Sequence, residues 1–230
     1  MNMKKLVILA LAALLTAPVF AQSIKDPVYA SSDGKAMFDL FDHLGYGYNF
    51  VKTDAFTPGW SGDFFLNVLK FGLYPVEKLG LEVGVDLSFN DFASKDAAFV
   101  LHDGIVNTAD FSTIGLGSTF DRKRSDFAVF GLSAPVLVKG IFEKVEIGVG
   151  AVANWNITGS TNAYLRKDNR ELNYTESKGK VNPFSYGIMA VLSYNQFGVY
   201  FKYYPKSSRV LPEASPIDMS FMTLGVSLGL

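Results

Sequence analysis

Residues 81–90, LEVGVDLSFN, alternate without a slip: Leu81, Val83, Val85, Leu87 and Phe89 fall on one side, Glu82, Gly84, Asp86, Ser88 and Asn90 on the other. Successive side chains leave a pleated backbone on opposite faces, so this period of two predicts a β-strand with one apolar face. Seven further runs share it, at 43–51, 63–75, 126–139, 145–157, 184–194, 198–205 and 220–230. In 63–75 the parity breaks, because Asn67 falls among apolar positions, and a bulge is predicted near that residue. Pro135, inside the fourth run, removes one ladder donor.

Alternation does not say which face meets water. A soluble sheet turns its polar face outward, whereas a transmembrane barrel turns its apolar face to lipid and its polar face to the lumen. The connections separate the two cases. Long polar segments (52–62, 91–125, 158–183 and 206–219) alternate with short turns around 76–80, 140–144 and 195–197. Long loops at one end and tight turns at the other predict an eight-stranded antiparallel up-and-down transmembrane β-barrel, with long extracellular loops and short periplasmic turns.

The N-terminus agrees with that compartment. Lys4 and Lys5 precede the apolar run 6–15, and Val19-Phe20-Ala21 forms a small-residue cleavage pattern, so residues 1–21 read as a signal peptide. That apolar run is about ten residues, half of what a spanning helix needs. The expected organisation is a cleaved leader (1–21), a periplasmic N-terminal segment (22–42) and a single outer-membrane barrel domain (43–230).

Composition narrows the chemistry. With 21 Lys and Arg against 22 Asp and Glu, nothing favours nucleic acid as a partner. The absence of cysteine excludes disulfides and lipidation through cysteine. Phe (20), Gly (21) and Tyr (11) suit strands and turns better than helices. Tyr46, Trp155, Tyr186, Tyr194 and Tyr203 fall near the ends of apolar faces, where amphipathic rings favour headgroups.

On the small-residue face the charges are Lys70, Lys139 and Lys202 against Glu82, Asp86 and Glu146. An eight-stranded barrel is just wide enough to be filled by side chains. Buried charges there must pair or cost several kcal/mol each, so these six are expected to form a structural ion-pair network in a closed polar lumen. Hairpin register suggests Lys70 with Glu82 and Lys139 with Glu146.

The residues also carry a family likeness. SAPVLVKGIFEKVEIGVGAVANWNI (133–157), PFSYGIMAVLSYNQFGVYFKYY (183–204) and the terminal MTLGVSLGL resemble the small outer-membrane β-barrels of the porin family, OmpX/OmpA-like, of the Bacteroidota type. The resemblance covers the C-terminal half. It implies an eight-stranded barrel in the outer membrane, inserted by the barrel-assembly machinery, with no assigned catalytic residues and no cofactor. Such barrels usually end in an aromatic residue, and this chain ends in Leu230.

Other chemistry is sparse. His102-Asp103 lies in the longest loop and His43-Asp42 at the start of the first run; a His beside a carboxylate can act as a general base, but no Ser stands in a convincing strand relation to either histidine. No metal-ligand spacing or phosphate-binding Gly loop is present. Arg122, Lys123 and Arg124, just above the fourth run, are candidates for contact with lipopolysaccharide phosphates. The expected function is therefore a non-enzymatic outer-membrane barrel that acts structurally, adhesively or as a binding surface through its loops. A soluble periplasmic lipocalin-like barrel holding an apolar ligand and a lipid A-modifying outer-membrane enzyme share parts of the pattern.

Overall fold

The structure, a computed structural model, describes residues 35–76, 78–114, 122–167 and 170–230. The expected leader and residues 22–34 lie outside the described residues. The elements in chain order are β1 (Lys35–Leu40), β2 (His43–Thr53), β3 (Gly62–Val76), β4 (Leu79–Ser94), β5 (Ala97–His102), β6 (Ile105–Asp110), α1 (Phe111–Ile114), β7 (Arg122–Phe142), β8 (Val145–Lys167), β9 (Arg170–Gly179), β10 (Phe184–Tyr194), β11 (Phe197–Tyr204) and β12 (Met219–Gly229).

Eight of these strands form an antiparallel ring in the order β2, β3, β4, β7, β8, β10, β11, β12. The last strand closes on the first, from Met219 opposite Thr53 to Gly229 opposite His43. All eight alternating runs of the sequence fall on these ring strands. Closure gives each ring strand a ring neighbour on both sides, which removes most of the open edge that an unclosed sheet would present. The short connections at 143–144 and 195–196 are two-residue turns, with Glu143 and Asn195 at φ of 56° and 54° as tight hairpins require.

The bulge lies in β3. The β3–β4 register shifts between Asn67 and Leu69, so Asp63, Phe65 and Asn67 point inward above it and Lys70 and Tyr74 below it. Pro135 also leaves its mark, because the β4–β7 pairing skips from Val83–Val136 to Asp86–Ser133.

One element departs from the expected organisation. Residues 35–40, placed by the sequence in the periplasmic segment, form β1 along the lower half of β3, from Leu40 opposite Leu69 to Lys35 opposite Tyr74. Phe41, at φ of 53°, makes the kink into β2. The lower half of β3 runs past the end of β2, and β1 supplies partners for backbone groups that would otherwise be an open edge.

The wall is inside-out relative to a soluble protein. Leu81, Val83, Leu87, Val136, Val138, Ile147, Val149, Ile188, Leu192, Leu224 and Val226 are exposed on the outer surface. Glu82, Asp86, Ser88, Ser133, Lys139, Asn154, Lys202 and Thr223 are buried inside. A lipocalin-like barrel has the opposite arrangement, an apolar cavity within and polar groups without, so this distribution is that of a transmembrane barrel. Exposed Trp155, Phe184 and Tyr186 flank the belt toward the long loops, and Phe142, Tyr194 and Phe197 flank it at the short turns.

β7 and β8 run for 21 and 23 residues, about twice the 9–11 that cross a bilayer. Their upper halves stand above the belt, where β9 pairs with β8 from Gly159 to Lys167. In this region the interior turns apolar. Phe92, Phe127, Phe221 and Tyr204 fill the mouth, with Phe92–Phe221 centroids 5.0 Å apart and Tyr204–Phe221 stacked at 4.5 Å. Above them the β5–β6 hairpin folds inward. Phe99 meets Phe56 edge-on at 4.9 Å, and Val106, Leu211 and Ile217 complete the same core.

The lumen is thus polar below and aromatic above, where the sequence predicted a polar filling throughout. The upper phenylalanines keep the inward parity; they are apolar because loops, not water, cover them. In planar bilayers the purified barrel is expected to pass no steady current, and stable openings of nanosiemens size would contradict the closed lumen.

Candidate functional site

The interior charges form three clusters, built from the periplasmic mouth upward. At the mouth, the bulge in β3 turns Lys70 inward and the kink at Phe41 brings Asp39 and Asp42 beneath it. Lys70 Nζ lies 2.7 Å from Asp42 Oδ2 and 3.2 Å from Asp39 Oδ2. Asp42 Oδ2 also meets His43 Nδ1 at 2.8 Å. The expected Lys70–Glu82 pair does not form. The hairpin closes with Val76 opposite Leu79 and shifts by one residue between Leu73 and Val76, so Lys70 faces Gly84 and Glu82 faces Gly72.

Glu82 is held instead by Lys139 from the neighbouring strand, at 2.8 Å, and Glu146 reaches the same ammonium at 3.1 Å. Lys139 and Glu82 are buried, whereas the Glu146 side chain is 41% exposed toward the periplasmic opening. A cavity of about 250 Å³ lies among Lys70, Glu82, Lys139, Glu146, Met189 and Val191. Higher up, Asp86 accepts from Asn67 Nδ2 at 2.7 Å and Ser133 Oγ at 3.3 Å.

The central cluster is the most deeply buried. Lys202 Nζ lies 3.0 Å from Asp63 Oδ2, and their side chains are 1% and 0% exposed. Tyr200 donates its hydroxyl to the same Asp63 oxygen at 2.7 Å. The ammonium also sits 4.4 Å from the centroid of Phe65 and 5.1 Å from that of Tyr200. An ion taken out of water is stable only with such paired and hydrogen-bonded partners, and aromatic faces add to the attraction. Room for these rings comes from glycines on the facing strands: a Cβ at Gly45 would overlap Phe65, and one at Gly225 would overlap Tyr200. Alongside, Asn49 accepts from Thr223 Oγ1 at 2.6 Å and donates to Gly62 O at 2.8 Å.

Five of the six expected members, Lys70, Glu82, Lys139, Glu146 and Lys202, form ion pairs, with Asp39, Asp42 and Asp63 as further partners, whereas Asp86 makes none and is held by the neutral donors Asn67 and Ser133. Asp63 escaped because the bulge reverses the parity of β3. A reading that allowed the bulge to flip that strand would have placed Asp63 beside Phe65 on the inner face.

The basic cluster splits. Arg124 Nε bonds Asp126 at 2.7 Å, and its Nη2 lies 3.5 Å from Asp91 and 3.4 Å from the Trp60 carbonyl. Lys123, one residue earlier, faces the other side of the sheet and lies 5.2 Å from the Phe111 centroid. Arg122 is exposed at the top of β7, opposite Arg166. The period of two that made the barrel legible also separates three consecutive cations.

The histidine pairs sit at opposite ends. His102 and Asp103 occupy the tip of the β5–β6 hairpin, 3.8 Å apart, with side chains 85% and 86% exposed. Asp103 and Gly104, at φ of 52° and 78°, make the two-residue turn with both positions left-handed. The hairpin is tied down by its neighbours. Phe99 N donates to Ser125 Oγ, Leu101 N to Glu176 Oε2, Lys180 N to Gly104 O and Ser215 Oγ to Val106 O, at 2.6–2.9 Å. A separate staple joins Thr57 to Asp96, whose carboxylate accepts from both the Thr57 amide and hydroxyl. Slight burial raises the Asp96 pKa, but these hydrogen bonds outweigh it and hold the carboxyl below its ordinary range. Among the described residues no cluster of three or more His, Cys, Asp or Glu could hold a metal ion.

No family model matches the chain, and no curated protein does. Solved structures do. Ail, the attachment invasion locus protein of Yersinia pestis, is 15% identical, with 86% of this chain and 100% of that one covered and a TM-score of 0.35. Neisserial surface protein A is 12% identical over 86% of this chain and 98% of its own, with a TM-score of 0.34. The outer membrane protease OmpT of Escherichia coli is 13% identical over 86% and 77%, also with a TM-score of 0.34.

Proposed function

We propose that this chain is a non-enzymatic integral outer-membrane β-barrel whose wall serves as an anchor and whose extracellular cap is the working surface, in a structural, adhesive or binding role. The observation that carries the reading is the closed ring with an apolar exterior and a lumen blocked twice, by Asp63, Lys202 and Tyr200 at mid-height and by the phenylalanine layer above. A barrel so filled offers no continuous path for solutes. What it presents instead is a tied-down cap of β5, β6, β9 and the loop 205–218. The finer resemblance to OmpX/OmpA-like porin-family barrels of the Bacteroidota type belongs to this proposal and rests on the sequence motifs alone. Its partners are outer-membrane lipid and lipopolysaccharide, with exposed Arg122 at the top of β7 as one contact, and the barrel-assembly machinery during insertion.

Because the chain has no cysteine, single cysteines report topology cleanly. His102→Cys, at the exposed hairpin tip, is expected to react on intact cells with a membrane-impermeant maleimide, whereas Asn195→Cys, in the turn between β10 and β11, reacts only after the outer membrane is opened. The reverse pattern, or recovery of the protein in the soluble periplasm without detergent, overturns the reading.

A further inference from the structure

On the outer face of β8 the strand changes partners. Residues up to Trp155 pair with β10, and residues from Gly159 pair with β9. Between these ladders β9 and β10 part, leaving an outward notch of about 510 Å³ lined by Trp155, Ile157, Lys178, Lys180 and Pro183. Trp155 and Ile157 are 55% and 52% exposed and continue the lipid-facing belt. Phe184 and Tyr186 stand beside them, which sets the notch at the level of the aromatic girdle, where headgroups lie.

Both lysines are exposed, and neither ammonium has an ion-pair partner among the described residues. In this they differ from Arg124, whose charge is taken by Asp126 and Asp91. Lys178 is also held at φ of 70°, as the extra residue where the β8–β9 register shifts between Gly159 and Ser160. Glycine or asparagine occupies such a conformation with less strain than lysine. A cation kept at a strained position, over apolar side chains and at headgroup height, calls for an anion at that spot.

We propose that this notch binds the phosphate-bearing headgroup of an outer-leaflet lipid, with Lys178 and Lys180 contacting the phosphate and Trp155 and Ile157 packing on the acyl chain beneath. The site rests on the transmembrane reading above, and continuity with the lipid-facing belt argues for a lipid-borne phosphate over a free one. Two cations near the surface enrich an anionic lipid roughly fivefold each over its bulk fraction.

Trp155 itself reports occupancy. With Trp60→Phe it is the one remaining tryptophan, and the protein is placed in phosphatidylcholine vesicles containing a minor fraction of lipid with brominated acyl chains. Brominated phosphatidylglycerol is expected to quench Trp155 at least about twofold more than the same fraction of brominated phosphatidylcholine. Lys178→Asn with Lys180→Gln removes the excess; asparagine tolerates the left-handed backbone, so this variant is expected to fold at least as well as the parent. Equal quenching by both lipids, an excess that survives in the double variant, or an excess abolished by millimolar inorganic phosphate at constant ionic strength overturns the site. Absence of quenching by either lipid would instead sink the transmembrane reading on which it rests.

Discussion

Asp63→Ala is expected to destabilise the folded barrel by about 3–5 kcal/mol, the cost of leaving a buried charge without its partner. The carboxylate is fully buried and holds both the Lys202 ammonium and the Tyr200 hydroxyl. Removing it leaves Lys202 against the Phe65 and Tyr200 rings, with Tyr204 and Asp86 farther off, and cation–π contact, at up to about 2 kcal/mol when desolvated, does not replace an ion pair. The pair itself need not be favourable over an apolar one, since the attraction of buried ions is largely offset by their desolvation. The double change Asp63→Asn with Lys202→Met is therefore expected to recover most of the loss, because asparagine still accepts from Tyr200 and no charge remains. By contrast, breaking the exposed Lys206–Asp218 pair, 3.5 Å apart with side chains 51% and 44% exposed, is expected to change stability by less than about 1 kcal/mol. Reversible urea unfolding in phospholipid vesicles measures all three. A cost for Asp63→Ala as small as that of the surface pair would show that the central cluster is solvated.

The ring was legible because lipid on one side and a narrow lumen on the other impose the same alternation on every strand. Within the belt the outward apolar positions recur from LEVGVDLSFN to the terminal strand, although Leu137 and Met189 also place apolar side chains inside. Where the chain leaves that regime its sequence is less legible. The bulge at Asn67 shows in the sequence as a broken parity, but the inward turn of Asp63 depends on which half of β3 the bulge reverses, and that is set by the pairing with β4. A hairpin centred on Val76 would place Lys70 opposite Glu82; the strands instead close with Val76 opposite Leu79, which sets Lys70 opposite Gly84 and leaves Glu82 to Lys139.

The cap is illegible for a different reason. Ala97–His102 and Ile105–Asp110 are each six residues long, and their apolar side chains pack on loops as well as strands, so no alternation marks them. The signal present was the Asp103-Gly104 dipeptide, a strong marker of a two-residue hairpin turn. β1 likewise is an edge extension whose partner, the lower half of β3, is set by tertiary structure rather than by its own pattern. Alternation identified the wall, and the cap that the wall supports had to be seen.

Val136→Lys is expected to cost about 2–4 kcal/mol and to lower the yield of folded barrel, because Val136 lies mid-way along the apolar face of β7 and a cation facing lipid near the midplane carries that penalty. The informative comparison is Leu172→Lys on β9. The two side chains are similarly exposed, at 41% and 46%, and both are aliphatic residues on the surface of the same sheet. They differ in height and in face: Val136 pairs with Val83 and Ala151 on the outer face inside the belt, whereas Leu172 pairs with buried Leu165 on the cap-facing side of the sheet, where β8 stands above the belt. If the belt meets lipid and the upper sheet meets water, Leu172→Lys changes stability by no more than about 0.5 kcal/mol. Equal costs in vesicles, whether both small or both large, would mean that height along β7 and β8 does not distinguish lipid from water, and the proposed membrane boundary between Trp155 and Gly159 would be misplaced. Loss at Val136 alone fixes that boundary from the protein's own energetics, independently of any likeness to other barrels.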